Sequence, residues 1–240
     1  MINIRLVSRR TARNISRGGF TLVELLVVIG IIAILAGVAL GPITSGIEKA
    51  KESSGLQVTR SINLLLFSYA NDNNQTYLPG SGSANPQATA ITTGHGIANA
   101  LLNAKYASDP SIFAITTAHK YTGTVSSGYN LLAGNVDFNF TAANSSGTGL
   151  TSAACDQVPM VWSVCSATAF TGYPTAAITS SIPIGVDNTG AFSLNGLAVA
   201  YKSNSAAFLK ATATSPTAAS APNFIQASYS DTTQYSQVSP

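Results

Sequence analysis

A continuous apolar segment, Phe20–Ile43, limits most strongly what this chain can fold into. Nearly every residue from Leu22 to Leu40 is Leu, Val, Ile, Ala or Gly, and the only charge in the segment is Glu24. As an α-helix that rises 1.5 Å per residue, roughly 24 residues span about 36 Å, which is enough to cross the hydrocarbon core of a bilayer. The sequence therefore predicts a transmembrane helix over 20–43.

The residues before this segment predict its orientation and its processing. Residues 1–19 contain no acid and five arginines: Arg5, Arg9, Arg10, Arg13 and Arg17. Because basic flanks stay in the cytoplasm, we expect residues 1–19 there and the C-terminal residues outside. A secretory signal has its small-residue cleavage site after the apolar region. Here Gly18-Gly19 precedes the apolar region, so a cut after Gly19 would remove the charges and keep the helix. The alternative is an uncleaved signal anchor with an incidental Glu24.

The order Gly-Phe-Thr-Leu-Val-Glu-Leu over residues 19–25 resembles the processing signal of type IV pilins and type II secretion pseudopilins. The resemblance implies that a membrane aspartyl peptidase cuts after Gly19 and N-methylates Phe20. It also implies that Glu24 of one subunit pairs with the Phe20 amine of its neighbour. Leu22 and Leu25 of the same motif are further candidate assembly residues.

The resemblance further implies a non-enzymatic building block of a helical filament, with apolar helices in the core and globular domains outside. The implied partners are further copies of the chain, other pilin-like subunits, the peptidase and methyltransferase, and an inner-membrane assembly platform. The precursor would sit in the inner membrane, and the product would be a periplasmic or cell-surface filament. The resemblance leaves open a surface pilus or a secretion pseudopilus. The rival class is a membrane-anchored binding or hydrolytic domain that never polymerises.

Elementary electrostatics supports the role that the resemblance gives to Glu24. An acid in the middle of a transmembrane helix costs roughly 2.5–3.5 kcal/mol, and such residues usually mark function. Two opposite charges attract strongly in a low-dielectric helix bundle, and each is costly when alone. The pair would favour one axial stagger of neighbouring helices. The helix macrodipole also favours a negative charge near the first turn.

Charge composition narrows the possible partners. The chain has 12 basic and 9 acidic residues, and loss of the five leader arginines leaves a net charge of −2. No basic patch remains that would predict nucleic-acid binding. Charged residues make up only 9% of the chain, against roughly 25% in average proteins. Such a surface suits packing against copies of itself, or an extracellular domain in salty surroundings.

The apolar helix is predicted to continue as an amphipathic helix over 44–72. Pro42 removes an amide donor and is expected to kink or loosen the helix. An apolar stripe at helical spacing follows and should face the globular domain: Leu56, Ile62, Leu65, Leu66 and Tyr69. The run Asn71–Asn74 ends the helix.

The remaining residues predict an α+β fold, with a small antiparallel sheet packed on the second half of the long helix. Residues 73–210 are assigned to a globular α/β-loop and sheet domain, and residues 211–240 to a Ser/Thr/Ala-rich tail that is either flexible or wraps the sheet. We expect a short helix over 96–106. Strands are predicted over 111–116, 128–132, 158–164, 191–201 and 206–210, with a hairpin turn at Lys202–Ser205.

Cys155 and Cys165 are the only cysteines. In an exported chain they predict a disulfide, whose 11-residue loop would contribute roughly 2.5–3 kcal/mol. His95 and His119 have no acid or cysteine at metal-ligand spacing, which argues against zinc. Serines are frequent, but no nucleophile motif accompanies them. The sequence therefore does not predict an enzyme.

Two weaker site hypotheses concern calcium and glycans. Some pseudopilins bind calcium near the C-terminal sheet, and here Asp187 and Asn188, with Asp137 or Asp231, offer oxygen ligands. A simple turn between two strands also explains Asp187-Asn188, and we favour the turn. No other cofactor is predicted. Asn74, Asn139 and Asn144 lie in Asn-x-Ser/Thr sequons.

Overall fold

The computed structural model describes the chain over residues 19–78, 91, 93–115, 119, 121, 128–143, 150, 154–166, 170, 178, 180–226 and 235–240. The leader arginines, Asn144 and Asp231 lie outside these residues. The fold is α+β, as predicted. Its elements are the helices α1 (Leu22–Asp72) and α2 (Gly94–Asn103) and the strands β1 (Phe138–Ala143), β2 (Pro159–Ser163), β3 (Ile182–Asp187), β4 (Gly196–Tyr201), β5 (Ala206–Lys210), β6 (Thr212–Ser215), β7 (Ala218–Ile225) and β8 (Tyr235–Val238).

Helix α1 is a single element of 51 residues that continues through Pro42. Pro42 lacks the amide that an interior helical residue donates. Two hydroxyls bond to carbonyls of the same turn: Thr44 Oγ1 donates to Gly41 O at 2.9 Å, and Ser45 Oγ donates to Pro42 O at 3.0 Å. The chain divides into two units, Met1–Ile47 and Glu48–Pro240. The kink at Pro42 stays a prediction.

The second unit contains two antiparallel sheets where the sequence predicted one. The larger has the order β5-β4-β2-β1-β8, and the smaller has the order β3-β7-β6. In the larger sheet β4 and β5 form the predicted hairpin, and Asn204 adopts a φ of 61° in its turn. Strand β2 lies between β4 and β1 and is buried along its whole length.

The C-terminal part of α1 packs on this unit through the predicted stripe and through polar residues that the stripe omits. Ile62, Leu66 and Tyr69 are buried among the core residues. Buried Asn63 donates from Nδ2 to the carbonyl of Tyr201 at 3.0 Å and so ties the helix to the end of β4. A buried amide that finds a backbone partner in this way avoids a desolvation penalty of about 1–3 kcal/mol.

A cluster of large side chains fills the core between the sheets. Trp162 and Phe224 meet edge to face at 5.1 Å between ring centroids, and Phe170 meets Phe224 at 5.0 Å. Trp162 and Phe224 are fully buried. Since Trp162 belongs to β2 and Phe224 to β7, these rings join the two sheets, and such pairs contribute about 0.5–1.5 kcal/mol beyond area burial.

Two predicted strands are confirmed closely, and a predicted helix is confirmed with different bounds. Strands 158–164 and 206–210 correspond to β2 and β5, and the short helix over 96–106 is α2, which begins two residues earlier. Thr93 caps α2 by accepting from the Gly96 amide at 3.2 Å. This hydroxyl cap explains the earlier start.

Three strand predictions are wrong or too long. Residues 111–113 belong instead to the 3₁₀ turn Pro110–Phe113, which Asp109 caps through its carboxylate. Residues 128–132 form no strand, because the Asn99 side chain on α2 exchanges two hydrogen bonds with the Leu131 backbone, at 2.7 and 3.0 Å. The strand over 191–201 begins only at Gly196, after the 3₁₀ turn Ser193–Asn195. Strands β1 and β3 were not predicted, and 211–240 contains β6, β7 and β8.

Candidate processing and assembly site

The candidate site lies at the start of α1. Gly19 and Phe20 precede the helix and are exposed, and Phe20 is 78% exposed. Both residues of the Gly19–Phe20 bond are therefore accessible to a peptidase. Phe20 lies two residues before α1 begins at Leu22.

Thr21 and Glu24 close a reciprocal capping box at this helix start. Glu24 Oε2 accepts from both Thr21 N and Thr21 Oγ1, each at 2.9 Å. In return, Glu24 N donates to Thr21 Oγ1 at 3.2 Å. The first amides of a helix have no partner within the helix, and this arrangement satisfies two of them. Sequence reasoning had treated Thr21 only as part of the motif, although Thr-x-x-Glu before an apolar run is a capping signature.

The capping box fixes where the Glu24 carboxylate lies. Both bonds from Thr21 use Oε2, so within the described part of the chain Oε1 is left for a second partner. The carboxylate is held at the N-terminal end of the helix, next to Phe20. A neighbouring cationic group at that level would meet an oriented carboxylate with no further side-chain rotation to restrict.

The first half of α1 exposes almost all of its apolar surface. Every Leu, Val and Ile from Leu22 to Ile43 is at least 46% exposed. Among the described residues α1 is the one helix long and apolar enough to cross a membrane. A soluble monomer rarely exposes a continuous apolar surface of this size, so lipid or other apolar helices must cover it. Leu22 and Leu25, both predicted assembly residues, belong to this surface.

Glycines leave room on the same segment. A Cβ built on Gly30, Gly37 or Gly41 would meet no atom within 4 Å. Small residues let apolar helices approach each other closely. The spacing of Gly37 and Gly41 puts both on one side of the helix. The segment therefore offers an indented face beside its large aliphatic side chains.

The predicted disulfide is not confirmed. Cys155 and Cys165 are not joined in the structure; Cys155 Sγ instead contacts Gln157 Oε1 at 3.0 Å. Cys165 is buried, and burial, with a smaller contribution from Asp187, raises the pKa of its thiol to about 12. A thiol with such a pKa is a poor nucleophile at neutral pH.

Asp187 and Asn188 build a turn. Asp187 Oδ1 accepts from the Thr189 amide at 2.8 Å, and Asp187 Oδ2 accepts from Ser166 Oγ at 3.0 Å. Asn188 Oδ1 accepts from Ser193 Oγ at 3.1 Å. These bonds build the turn that the sequence analysis favours, and calcium binding there stays a prediction. Among the described residues no group of three or more His, Cys, Asp and Glu is placed to hold a metal.

The two histidines are placed apart and serve local structure. His95 Nε2 lies 3.2 Å from Thr93 Oγ1 at the start of α2. His119 Nδ1 contacts Asp137 Oδ1, and Asp137 Oδ2 accepts from the Ile115 amide at 2.7 Å. Asp137 is buried at the start of β1, so this pair fastens the preceding loop to the sheet. No sequence signal indicated the His119–Asp137 pair, because it depends on how the loop returns to β1.

Comparison with known proteins finds a match for one segment of the chain. Residues 15–40 match a family model described as the prokaryotic N-terminal methylation motif. The matched residues include Gly19, Phe20 and Glu24. No curated protein and no solved structure matches the chain.

Proposed function

We propose that this chain, whose residues 15–40 carry the prepilin signature of type IV pilins and type II secretion pseudopilins, is the structural subunit of a type IV pilus-like filament. The observation that carries the proposal is the exposed apolar half of α1 with an oriented carboxylate at its start. The prepilin signature supports a structural subunit rather than an enzyme.

Processing would begin at the Gly19–Phe20 bond. A prepilin peptidase removes residues 1–19 and N-methylates Phe20, while the helix stays in the inner membrane. The new amine carries a positive charge at the end of an apolar helix. That charge is costly in an apolar bundle unless an anion accompanies it.

Assembly would place the Phe20 amine of one subunit against Glu24 of the next. The Thr21 capping box already orients the carboxylate toward this end of the helix. Because Oε2 is engaged within the subunit, Oε1 would accept the neighbour's amine. This charge pair sets the axial stagger, and the aliphatic side chains and glycines of α1 supply the packing.

Two substitutions of Glu24 test the charge pair with and without the capping box. Glu24→Gln keeps a side chain that can cap Thr21 but removes the negative charge. Glu24→Ala removes both. We expect both variants to be cleaved after Gly19 and to lose at least about nine tenths of the sheared filaments, because a lone buried amine costs several kcal/mol.

Controls identify the part of the proposal that fails. Glu52→Gln removes a carboxylate from the same helix beyond the apolar segment and should leave filament yield unchanged. Gly19→Ala should leave uncleaved precursor in the membrane. Normal filaments from Glu24→Gln would refute the register role of the charge. Cleaved wild-type chain retained in the membrane, with a secretion defect on its deletion, would contradict a surface pilus and identify a pseudopilin.

A further inference from the structure

Two sequons of this chain share the same local pattern. Asn74 and Asn139 are each followed by Thr two residues later, and each is preceded by Asp two residues earlier. The local sequence therefore gives no basis for choosing between them as sites of N-glycosylation. The sequons at Asn14 and Asn144 lack this aspartate, and both lie outside the described residues.

Asn139 is enclosed in the larger sheet. It lies on β1, which pairs with β2 on one side and β8 on the other, and it stands opposite Trp162. Asn139 is 3% exposed, and Thr141 is 4% exposed. The Thr141 hydroxyl donates to the Pro159 carbonyl. An enzyme could reach this amide only if the sheet opened.

Asn74 lies in an open turn directly after α1. It is exposed, and both Asn74 and Gln75 adopt left-handed backbone conformations, with φ of 52° and 60°. Two backbone bonds close the turn: Gln75 N donates to Ala70 O at 2.8 Å, and Thr76 N donates to Asn73 O at 3.0 Å. Two side chains add to them, since Asn73 Nδ2 donates to Tyr69 O at 2.8 Å and Thr76 Oγ1 donates to Asn74 O at 3.4 Å. None of these four bonds uses the side-chain amide of the exposed Asn74.

We propose that Asn74 is the N-glycan acceptor of the folded chain and that Asn139 is not. The donor would be an oligosaccharide carried on a polyprenyl diphosphate, supplied to an oligosaccharyltransferase on the outer side of the membrane. The Asn74 amide nitrogen attacks the anomeric carbon of the first sugar. The new C–N bond forms as the C–O bond to the diphosphate breaks, polyprenyl diphosphate leaves with the electron pair, and a base takes one amide proton.

The position of Asn74 suits a subunit that packs along its helices. Asn74 follows the last turn of α1 and lies 31 residues after Ile43, the last residue of the apolar segment. A hydrophilic glycan there would not enter an apolar helix bundle. The inference rests on the proposed function only for the side of the membrane on which residues 44–240 lie.

The test uses the purified full-length chain with Asn14→Gln and Asn144→Gln, folded in detergent. It is incubated with a purified oligosaccharyltransferase that accepts the Asp-x-Asn-x-Thr pattern and a polyprenyl-diphosphate oligosaccharide of known mass. We expect one added glycan by intact mass, with at least about tenfold higher occupancy at Asn74 than at Asn139 by peptide mapping. The same chain denatured in urea, then diluted into the assay, should be modified at both sites to within about threefold.

Matched variants separate the sequon from the fold. Thr76→Val should abolish the added mass, and Thr141→Val should leave it unchanged in the folded chain. Folded chain that stays unmodified at Asn74, or that carries the glycan at Asn139, would overturn the proposal. An Asn139 that stays unmodified after denaturation would refute burial as the selecting factor. Because the assay uses purified chain, its failure would leave the filament proposal intact.

Discussion

Gly55 is a position where α1 packs closely on Phe192, and replacing it with Ala tests how the helix is docked. A Cβ built on Gly55 would lie 2.2 Å from Phe192 Cζ and within 3.2 Å of two further atoms of the same ring. Phe192 is buried and meets Phe208 of β5 edge to face at 5.1 Å. The ring therefore cannot withdraw without disturbing the contact with β5.

The expected magnitude follows from two opposed effects. Overpacking a buried contact costs about 1–3 kcal/mol, and a contact far below van der Waals distance belongs at the upper end. Replacing a helical Gly with Ala offsets this by about 1 kcal/mol through helix propensity. We therefore expect Gly55→Ala to lower the free energy of unfolding by about 2 kcal/mol.

The assay is chemical unfolding of the mature chain in detergent, followed by the fluorescence of buried Trp162. Gly46→Ala is the matched control, because it is on the same helix and its Cβ would meet no atom within 4 Å. The control should change stability by less than about 1 kcal/mol. A Gly55→Ala chain as stable as the control would refute the close docking of α1 on Phe192.

Three further predictions concern the globular unit. Gly196 has a φ of 142°, and a Cβ there would lie 2.1 Å from a carbonyl oxygen of β5. Gly196→Ala should therefore lower the free energy of unfolding by about 1–3 kcal/mol from backbone strain alone, as measured by chemical unfolding. A Cβ on Gly134 would meet no atom within 4 Å, so an effect no larger than that of Gly134→Ala would contradict this prediction. Burial raises the pKa of the Cys165 thiol from 9.0 to about 12. At pH 8, Cys165 of the native chain should therefore be alkylated at least about a hundredfold more slowly than Cys165 of the unfolded chain. Comparable alkylation rates by mass spectrometry would argue against the burial of Cys165. Burial also raises the pKa of Tyr201 to about 12. The native chain then holds protons that the unfolded chain releases, so the free energy of unfolding is at its full value below about pH 9 and falls as pH rises toward 12. A flat profile of unfolding midpoint against pH from 9 to 11.5 would contradict the raised pKa values of Cys165 and Tyr201.

The N-terminal half of the fold could be predicted because its signals are local. The apolar run and the Asn-rich stop gave the bounds of α1 to within two residues, as hydrophobic period and helix-breaking residues are read over one or two turns. The capping box was also readable from Thr21 and Glu24. Further along the chain, the β4–β5 hairpin was also predicted from a local signal, a short polar turn between two apolar runs.

The rest depended on contacts that no local pattern encodes. Strand β7 contains Pro222, which would normally exclude a central strand. The structure accommodates it with an irregularity in the pairing with β3, next to a left-handed Asn223. The side-chain amide of Asn99 hydrogen-bonds to the backbone of Leu131, which lies 32 residues later in the sequence. At the candidate site, the sequence identified the residues of the motif, whereas only the structure shows which oxygen of Glu24 is engaged.

The central claim is tested most directly by mass spectrometry of filaments sheared from the cell surface. We predict an N-terminal peptide that begins at N-methylated Phe20, abundant in the wild type and lost from sheared filaments in Glu24→Gln cells, whose membranes should still contain the cleaved chain. Filaments built from a chain that retains residues 1–19, or wild-type filament yield from Glu24→Gln, would contradict the account.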